Sequence, residues 1–366
     1  MIGNLDILKF LWILILSGLI AFMLMRLYLL RWWKCRPKME NNKQEFKVKV
    51  IVPCKGADVE LSENLKSLKN QNYKNFSIVA VVDSENDEAC EFIRENNLTM
   101  MLSKHQWNGS GKVKAISTAI AEDRDSDIFV VVDSDTRVNS HWLENLIYPL
   151  SDETVGIVST YPVYESVDKP GIWDHIKKVW GYVGINMMEF RPTRFAWGGS
   201  VAFRKNFLNP SDFDEFSSSI SDDATLTKLC KEKSLKIAYA KDSTPVIYSK
   251  ESRETFMEWS NRQIAITLSY SKSAFYAALI IYGMTIFYLG ILIPLSILVW
   301  NVFLLGYIPF ILLILLNMQR EKNRSLKIAI ATFTIPFIFI VNIIHGKRNP
   351  QINWRGNTYH LDEDKI

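Results

Sequence analysis

The sequence predicts an α/β domain with a mostly parallel sheet, set between apolar segments long enough to cross a bilayer. Three observations carry that prediction. Short β-branched runs alternate with helical patterns across residues 46–250, each of the first three runs ends in polar residues suited to chemistry, and hydrophobic stretches flank the region on both sides. The 366 residues, 48% of them hydrophobic with a formal charge of +4, hold one or two domains plus membrane segments. No nucleic-acid partner is indicated.

Residues 7–30 are apolar apart from Lys9, Ser17 and Arg26, a length that spans a hydrocarbon core of about 30 Å. A cleaved signal peptide would end in small residues, whereas this run passes into Arg31, Trp32, Trp33, Lys34, Arg36 and Lys38. Residues 1–45 therefore read as an anchor whose basic, aromatic flank lies in the cytosol, along with the domain that begins at residue 46. Cys35, Cys54, Cys90 and Cys230 have no CxxC or Cys/His spacing and read as reduced, packed thiols.

Within 46–250 the first strands are residues 48–52, 78–82 and Ile128–Val132, with helices expected over 61–69 and 113–121. Crossover helices between parallel strands bring the strand ends to one edge, where α/β folds bind ligands. Those ends are Pro53-Cys54-Lys55-Gly56, Asp83-Ser84-Glu85-Asn86-Asp87 and Asp133-Ser134-Asp135. An isolated D-x-D is usually only a solvated turn. Here three polar strand ends on one edge describe a nucleotide site. Two carboxylates one residue apart form a hard-oxygen half-site for Mg²⁺ or Mn²⁺, ions that take their remaining ligands from phosphate oxygens. The substrate expected there carries a diphosphate.

Residues 172–190 mix Trp173, Trp180, Tyr182, Met187 and Met188 with Lys177 and Lys178, which suits an amphipathic helix on a membrane surface or an ordinary core helix equally. Residues 251–273 form an interfacial segment containing Arg262. Membrane spans are expected over 274–300, 302–318 and 326–344, making a C-terminal membrane region of 274–346 before a tail of 347–366. The basic stretch Arg320, Lys322, Arg324 and Lys327 fits a cytosolic loop after two spans. A third span would carry Lys347 and Arg348 outside, unless Pro336 breaks it into a re-entrant element.

Taken in order, Val50 to Gly56, Asp83 to Asp87, Gly111-Lys112, Asp133 to Val138, Trp197-Gly198-Gly199-Ser200 and Ser221-Asp222-Asp223 resemble the motifs of membrane-bound glycosyltransferases of families 2 and 21. Trp259-Ser260-Asn261-Arg262-Gln263 and Trp354-Arg355-Gly356-Asn357-Thr358-Tyr359 complete the series, whose nearest likeness is to the ceramide glucosyltransferases. Each motif is weak alone; their order between two membrane regions is specific. The resemblance implies a GT-A fold, a nucleotide-sugar donor such as UDP-glucose, a Mg²⁺ or Mn²⁺ ion, and inverting transfer of a hexose to a lipid hydroxyl. One departure stands out: where the family has (Gln/Arg)-x-x-Arg-Trp, this chain begins with Trp259 and ends Arg262-Gln263.

The resemblance also assigns roles. Asp133 and Asp135 hold metal and diphosphate, Asp135 as the direct ligand and Asp133 reaching ribose or metal. Pro53, Lys55 and Asp83 line the nucleotide, Asp87 being the alternative to Asp83. Lys112 reaches the nucleotide or simply starts a helix in solvent. Trp197, Gly198 and Gly199 flank the donor sugar. Asp223 is the base, with Asp222 orienting it or touching the sugar, and helix capping as the alternative. Arg262 faces the leaving diphosphate or else lipid phosphates, and Trp259 and Gln263 belong to the acceptor side. Three other functions compete: a processive polysaccharide synthase, transfer to a polyprenyl phosphate, and an inactive nucleotide-sugar-binding scaffold. The expected setting is a multi-pass membrane protein with its catalytic domain in the cytoplasm.

Overall fold

A computed structural model describes residues 45–104, 107–270, 272–320, 325–349 and 351–360, with parts of 6–20. The basic flank from Arg31 to Lys38, Lys322, Arg324 and the Trp354 side chain lie outside the described residues.

The chain opens its soluble part with β1 (Val48–Pro53), α1 (Leu61–Lys69), β2 (Phe76–Val82), α2 (Ala89–Glu95), β3 (Thr99–Leu102), α3 (Gly111–Glu122) and β4 (Ile128–Val132). It continues through β5 (Thr136–Arg137), α4 (Trp142–Ile147), β6 (Val155–Ser159), β7 (Val163–Ser166), α5 (Ile172–Glu189) and β8 (Ser200–Arg204). Next come α6 (Pro210–Ser217), α7 (Asp222–Glu232), β9 (Lys236–Tyr239) and β10 (Val246–Ser249). The central sheet runs β3-β2-β1-β4-β8-β6-β9, and every neighbouring pair is parallel except those of β8. β5, β10 and β7 form a smaller sheet.

Alternation along β1 and β4 explains the two cores. Val48, Val50, Val52, Ile128, Val130 and Val132 face α1, α2 and α4, whereas Ile51, Phe129 and Val131 face α3 and α7. β1 then lies between β2 and β4, so the chain winds outward in both directions from it. That is a topological switch point, and its crevice opens at the ends of β1 and β4.

Beyond the sheet lie α8 (Arg253–Tyr270), α9 (Lys272–Leu298), α10 (Ile308–Gln319) and α11 (Leu326–Arg348), then the hairpin β11 (Gln351–Trp354) and β12 (Asn357–His360). Three helical stretches are long and apolar enough to cross a membrane: Phe275–Leu298, Asn301–Gln319 and Leu326–Arg348. Trp12 from the N-terminal segment lies against Tyr288 and Phe303.

The sequence left α5 between a membrane-surface and a core helix; it packs with α8 and α11 around a third apolar cluster. α11 does not break at Pro336, but it does run along the domain. Lys327 at its start donates to the Pro170 carbonyl at 2.9 Å, Phe339 stacks on Trp180 at 5.3 Å, and Asn342 donates to Ser260 and Asn261 at 3.1 and 2.7 Å. Near its end, Gly346 lies so close to Ala265 that a Cβ would sit 3.3 Å from the Ala265 Cα.

Candidate active site

The loop after β1 turns through Gly56, whose φ of +69° suits glycine, and its amide donates to Asp87 at 2.8 Å. Asp87 also accepts from the Ala89 amide at the start of α2, so it is a loop and helix-start carboxylate. Asp83 is the one that faces the crevice: Lys55 Nζ lies 3.3 Å from it, and it borders Gly111. Pro53 closes β1 opposite Val81.

At the end of β4, Asp133 accepts from Thr136 through its carbonyl, and its amide donates to the Gly199 carbonyl. The register that pairs Val132 with Ser200 sets Trp197-Gly198-Gly199 directly beside the D-x-D. Lys112, in the first turn of α3 behind the Ser110 cap, crosses the crevice. Its Nζ lies 2.7 Å from Asp133 and 3.2 Å from Asp222, with the side chain only 12% exposed. Burial pulls the ammonium down, but Asp133, Asp222 and Asp223 hold it above its ordinary value. The Asp133 carboxyl is pushed up to about 6 by desolvation, with Asp135 and Asp222 adding to the shift and Lys112 opposing it. Asp135 is raised too, by desolvation first and then by Asp58, against Lys177, Arg355 and Lys112.

Sequence alone suggested that Gly198 and Gly199 give room to a donor sugar. The structure gives them work inside the protein. A Cβ on Gly198 would stand 2.3 Å from Asp222 Oδ2 and 2.8 Å from Lys112 Nζ, and one on Gly199 would stand 2.2 Å from the Trp197 ring. Gly198→Ala is therefore expected to force the Lys112–Asp222 pair apart. A displacement of about 1 Å at a reacting centre can cost about 10²-fold. Steady-state kcat/KM, measured with thermal melting to show the chain still folds, checks this.

Asp222 and Asp223 occupy the first turn of α7, behind the Ser221 cap. Asp223 accepts from the Ala224 amide at 2.7 Å and from the Ser221 hydroxyl. Desolvation, reinforced by Asp222, raises its carboxyl above the usual value. Asp222 is buried, and its Oδ2 is held by the ion pair to Lys112 without a directed hydrogen bond.

The third wall is α5 and α8. Trp259 meets Trp180 at 4.8 Å and Tyr164 at 5.4 Å, and Lys177 Nζ lies 4.8 Å from its ring. Lys177 is itself buried in an ion pair with Glu251 at 2.5 Å. Arg262, one turn along α8, is held below its ordinary value chiefly by desolvation, with Glu258 and Asp135 opposing that shift and Arg355 adding to it. Gln263 is half-buried on the same helix.

The C-terminal hairpin reaches the same crevice. Arg355 and Gly356 both have positive φ, +50° and +79°, as a two-residue hairpin turn requires, and the non-glycine Arg355 carries strain there. Its guanidinium bonds the Lys55 carbonyl and Asp58, while Asp58 also accepts from Ser134 between the two D-x-D carboxylates. The Gly111 amide donates to the Tyr359 hydroxyl at 3.3 Å. Sequence reasoning missed Asp58 and the burial of Lys177. The signal for Lys177 was present, a lysine set among aromatic residues, in a segment that suited a membrane-surface helix and a core helix equally.

Among the described residues no group of three or more His, Cys, Asp or Glu forms a closed metal cage. Two repelling carboxylates with raised affinity for protons, beside an ammonium on a flexible stem, fit an ion that shares its shell with a diphosphate.

The family model described as Glycosyl transferase family 21 matches residues 10–366, and the chain belongs to that family. Among curated relatives, the hyaluronan synthase of Streptococcus pyogenes serotype M3 is 35% identical over 124 residues, covering 32% of this chain and 29% of that protein. The 4,4'-diaponeurosporenoate glycosyltransferase of Staphylococcus haemolyticus is 27% identical over 177 residues, covering 45% of each. The chain thus spans less than half the length of these relatives. Among solved structures, the mannosyltransferase PcManGT of Pyrobaculum calidifontis, in complex with GDP-Man and Mn²⁺, aligns with a TM-score of 0.47 at 15% identity over 91% of this chain and 83% of that one. Glucosyl-3-phosphoglycerate synthase of Mycobacterium tuberculosis, in complex with Mn²⁺ and UDP-glucose, aligns with a TM-score of 0.43 at 14% identity, over 64% and 84% respectively.

Proposed function

We propose that this glycosyltransferase moves one hexose, glucose from UDP-glucose being the first candidate, onto the hydroxyl of a membrane lipid with inversion at the anomeric carbon. One observation carries the reading. The Lys112 ammonium bridges Asp133 and Asp222, which places the D-x-D one side chain away from the Asp222-Asp223 pair. Diphosphate-binding and proton-accepting carboxylates thereby border a single crevice. Asp83 and Lys55 hold the nucleotide. A Mg²⁺ or Mn²⁺ ion held by Asp135 and Asp133 supplies charge neutralisation at the diphosphate. Asp223 takes the acceptor hydroxyl proton as the new C–O bond forms and the sugar–phosphate bond breaks, and Arg262 and Arg355 offset the charge on the departing nucleotide.

The acceptor is expected beside Trp259, the partly exposed member of an aromatic group whose Trp180 and Tyr164 are buried in the packing around α5 and α8. Purified protein in nanodiscs, given Mn²⁺, a panel of nucleotide sugars and a membrane lipid extract, is expected to yield a lipid heavier by one hexose. Long glycan products instead would support the processive synthase, a reading favoured by the stretch shared with hyaluronan synthase.

The path of α11 bears on topology. α11 touches the Pro170 carbonyl and α8, and it also packs on α9 and α10, with Phe339 stacked on Tyr282 at 4.3 Å and Thr332 accepting from Asn317 at 3.1 Å; we infer that the hairpin after it stays on the donor side. Single cysteines at Asp168 and Asn349, in a background without the native cysteines, are expected to react with an impermeant maleimide from the cytosolic side, and one at Trp300 from the other. Labelling of position 349 together with position 300 would make α11 a full crossing.

A further inference from the structure

We propose that Lys112 is an internal counter-ion that couples the two halves of donor binding. In the free enzyme it occupies Asp133, an incoming diphosphate draws it away, and the freed carboxylate then accepts the divalent ion. The inference rests on the donor reading above and adds an order of dependence to it.

Three features support this. First, the Lys112 ammonium is bonded to Asp133 at 2.7 Å while also pairing with Asp222 at 3.2 Å, so it already supplies the positive charge that these carboxylates need. A divalent ion on Asp133 would put two positive centres a few ångströms apart in a poorly screened crevice, which is strongly unfavourable. Second, the space around the ammonium is tight, because Gly198 must lack a Cβ for Lys112 and Asp222 to meet there. The lysine cannot share that space; it has to leave. Third, it has somewhere to go. Lys112 stands in the first turn of α3, on the edge that Asp83 and Lys55 border, and its flexible four-carbon stem lets the ammonium pass from carboxylate to phosphate. Removing Lys112 leaves Asp133 and Asp222 without their paired cation, which is the charge deficit a divalent cation fills. Metal alone or nucleotide alone meets only half of the exchange, so each favours the other.

Calorimetry on the full chain in nanodiscs, with MnCl₂ alone, UDP alone, GDP alone and each nucleotide in the presence of the metal, tests the coupling. Wild type is expected to bind Mn²⁺ roughly 5- to 150-fold more tightly when nucleotide is present, with the same factor for nucleotide when Mn²⁺ is present. Lys112→Met should bind Mn²⁺ alone more tightly than wild type and show a smaller coupling factor. Lys228→Met, which removes a cation paired with Glu215 outside the site residues named above, should leave Mn²⁺ affinity near wild type. Mn²⁺ affinity in Lys112→Met equal to or weaker than wild type would overturn the inference, as would equal tightening in Lys228→Met. If Lys112→Met does not fold, the charge-balanced double variant Lys112→Met/Asp222→Asn, which also frees Asp133, gives the same readout. Failure of both UDP and GDP to bind removes the donor reading and this inference together, whereas nucleotide binding with metal affinity indifferent to Lys112 removes this inference alone.

Discussion

Asp223→Asn is expected to lower kcat by about 10²- to 10⁴-fold, the range a positioned general base contributes, with nucleotide and metal affinities left near wild type. The amide is a clean probe. Its Oδ1 can still accept from the Ala224 amide and the Ser221 hydroxyl, so the start of α7 keeps its cap and the fold its stability. What disappears is basicity. In the native chain that basicity is enhanced, because desolvation and the Asp222 carboxylate both raise the affinity of Asp223 for a proton. Pre-steady-state product formation, with nucleotide binding measured in parallel, separates the two roles of this residue. Unchanged turnover would leave Asp223 as a helix cap and nothing more.

Local pattern made much of this legible. The first helix lies over residues 61–69 as the periodicity required, and β4 is the buried run Ile128–Val132, because length, branching and flanking breakers act over a few residues. The D-x-D and the Asp222-Asp223 pair were visible for the same reason. What was not visible depends on contacts between distant segments. Asp58 looked like an ordinary loop acid until Arg355, nearly three hundred residues later, closed on it. The need for Gly198 came from Asp222 and Lys112, two side chains on other elements. Hydropathy measured α11 as membrane-length but carried no information about its contacts with Pro170, Ser260, Asn261 and Ala265, which come from segments distant in the chain.

Asp135→Asn should reduce kcat/KM by about 10³-fold, since a bound cation contributes several kcal/mol of charge stabilisation at a phosphoryl centre, while raising Tm. The opposite signs follow from one fact. The Asp135 carboxyl is raised in the folded chain by desolvation and by Asp58, so its charged form is less favourable there than in the unfolded chain. Stability associated with a raised carboxyl is present at low pH and is lost as pH rises through the folded value. At neutral pH the ionised group therefore works against folding, and a neutral amide relieves that opposition. Asp133 obeys the same sign, with its folded value of about 6 against an ordinary 3.8. Because a metal competes with the proton for that carboxylate, Mn²⁺ affinity of the wild type should be constant above pH 6 and fall roughly tenfold per unit below it. Melting curves and Mn²⁺ titrations across pH 5 to 8 distinguish this from simple misfolding. A variant that lost activity and Tm together would mean that Asp135 holds the loop in place, and a metal affinity flat through pH 6 would remove Asp133 from the metal's shell.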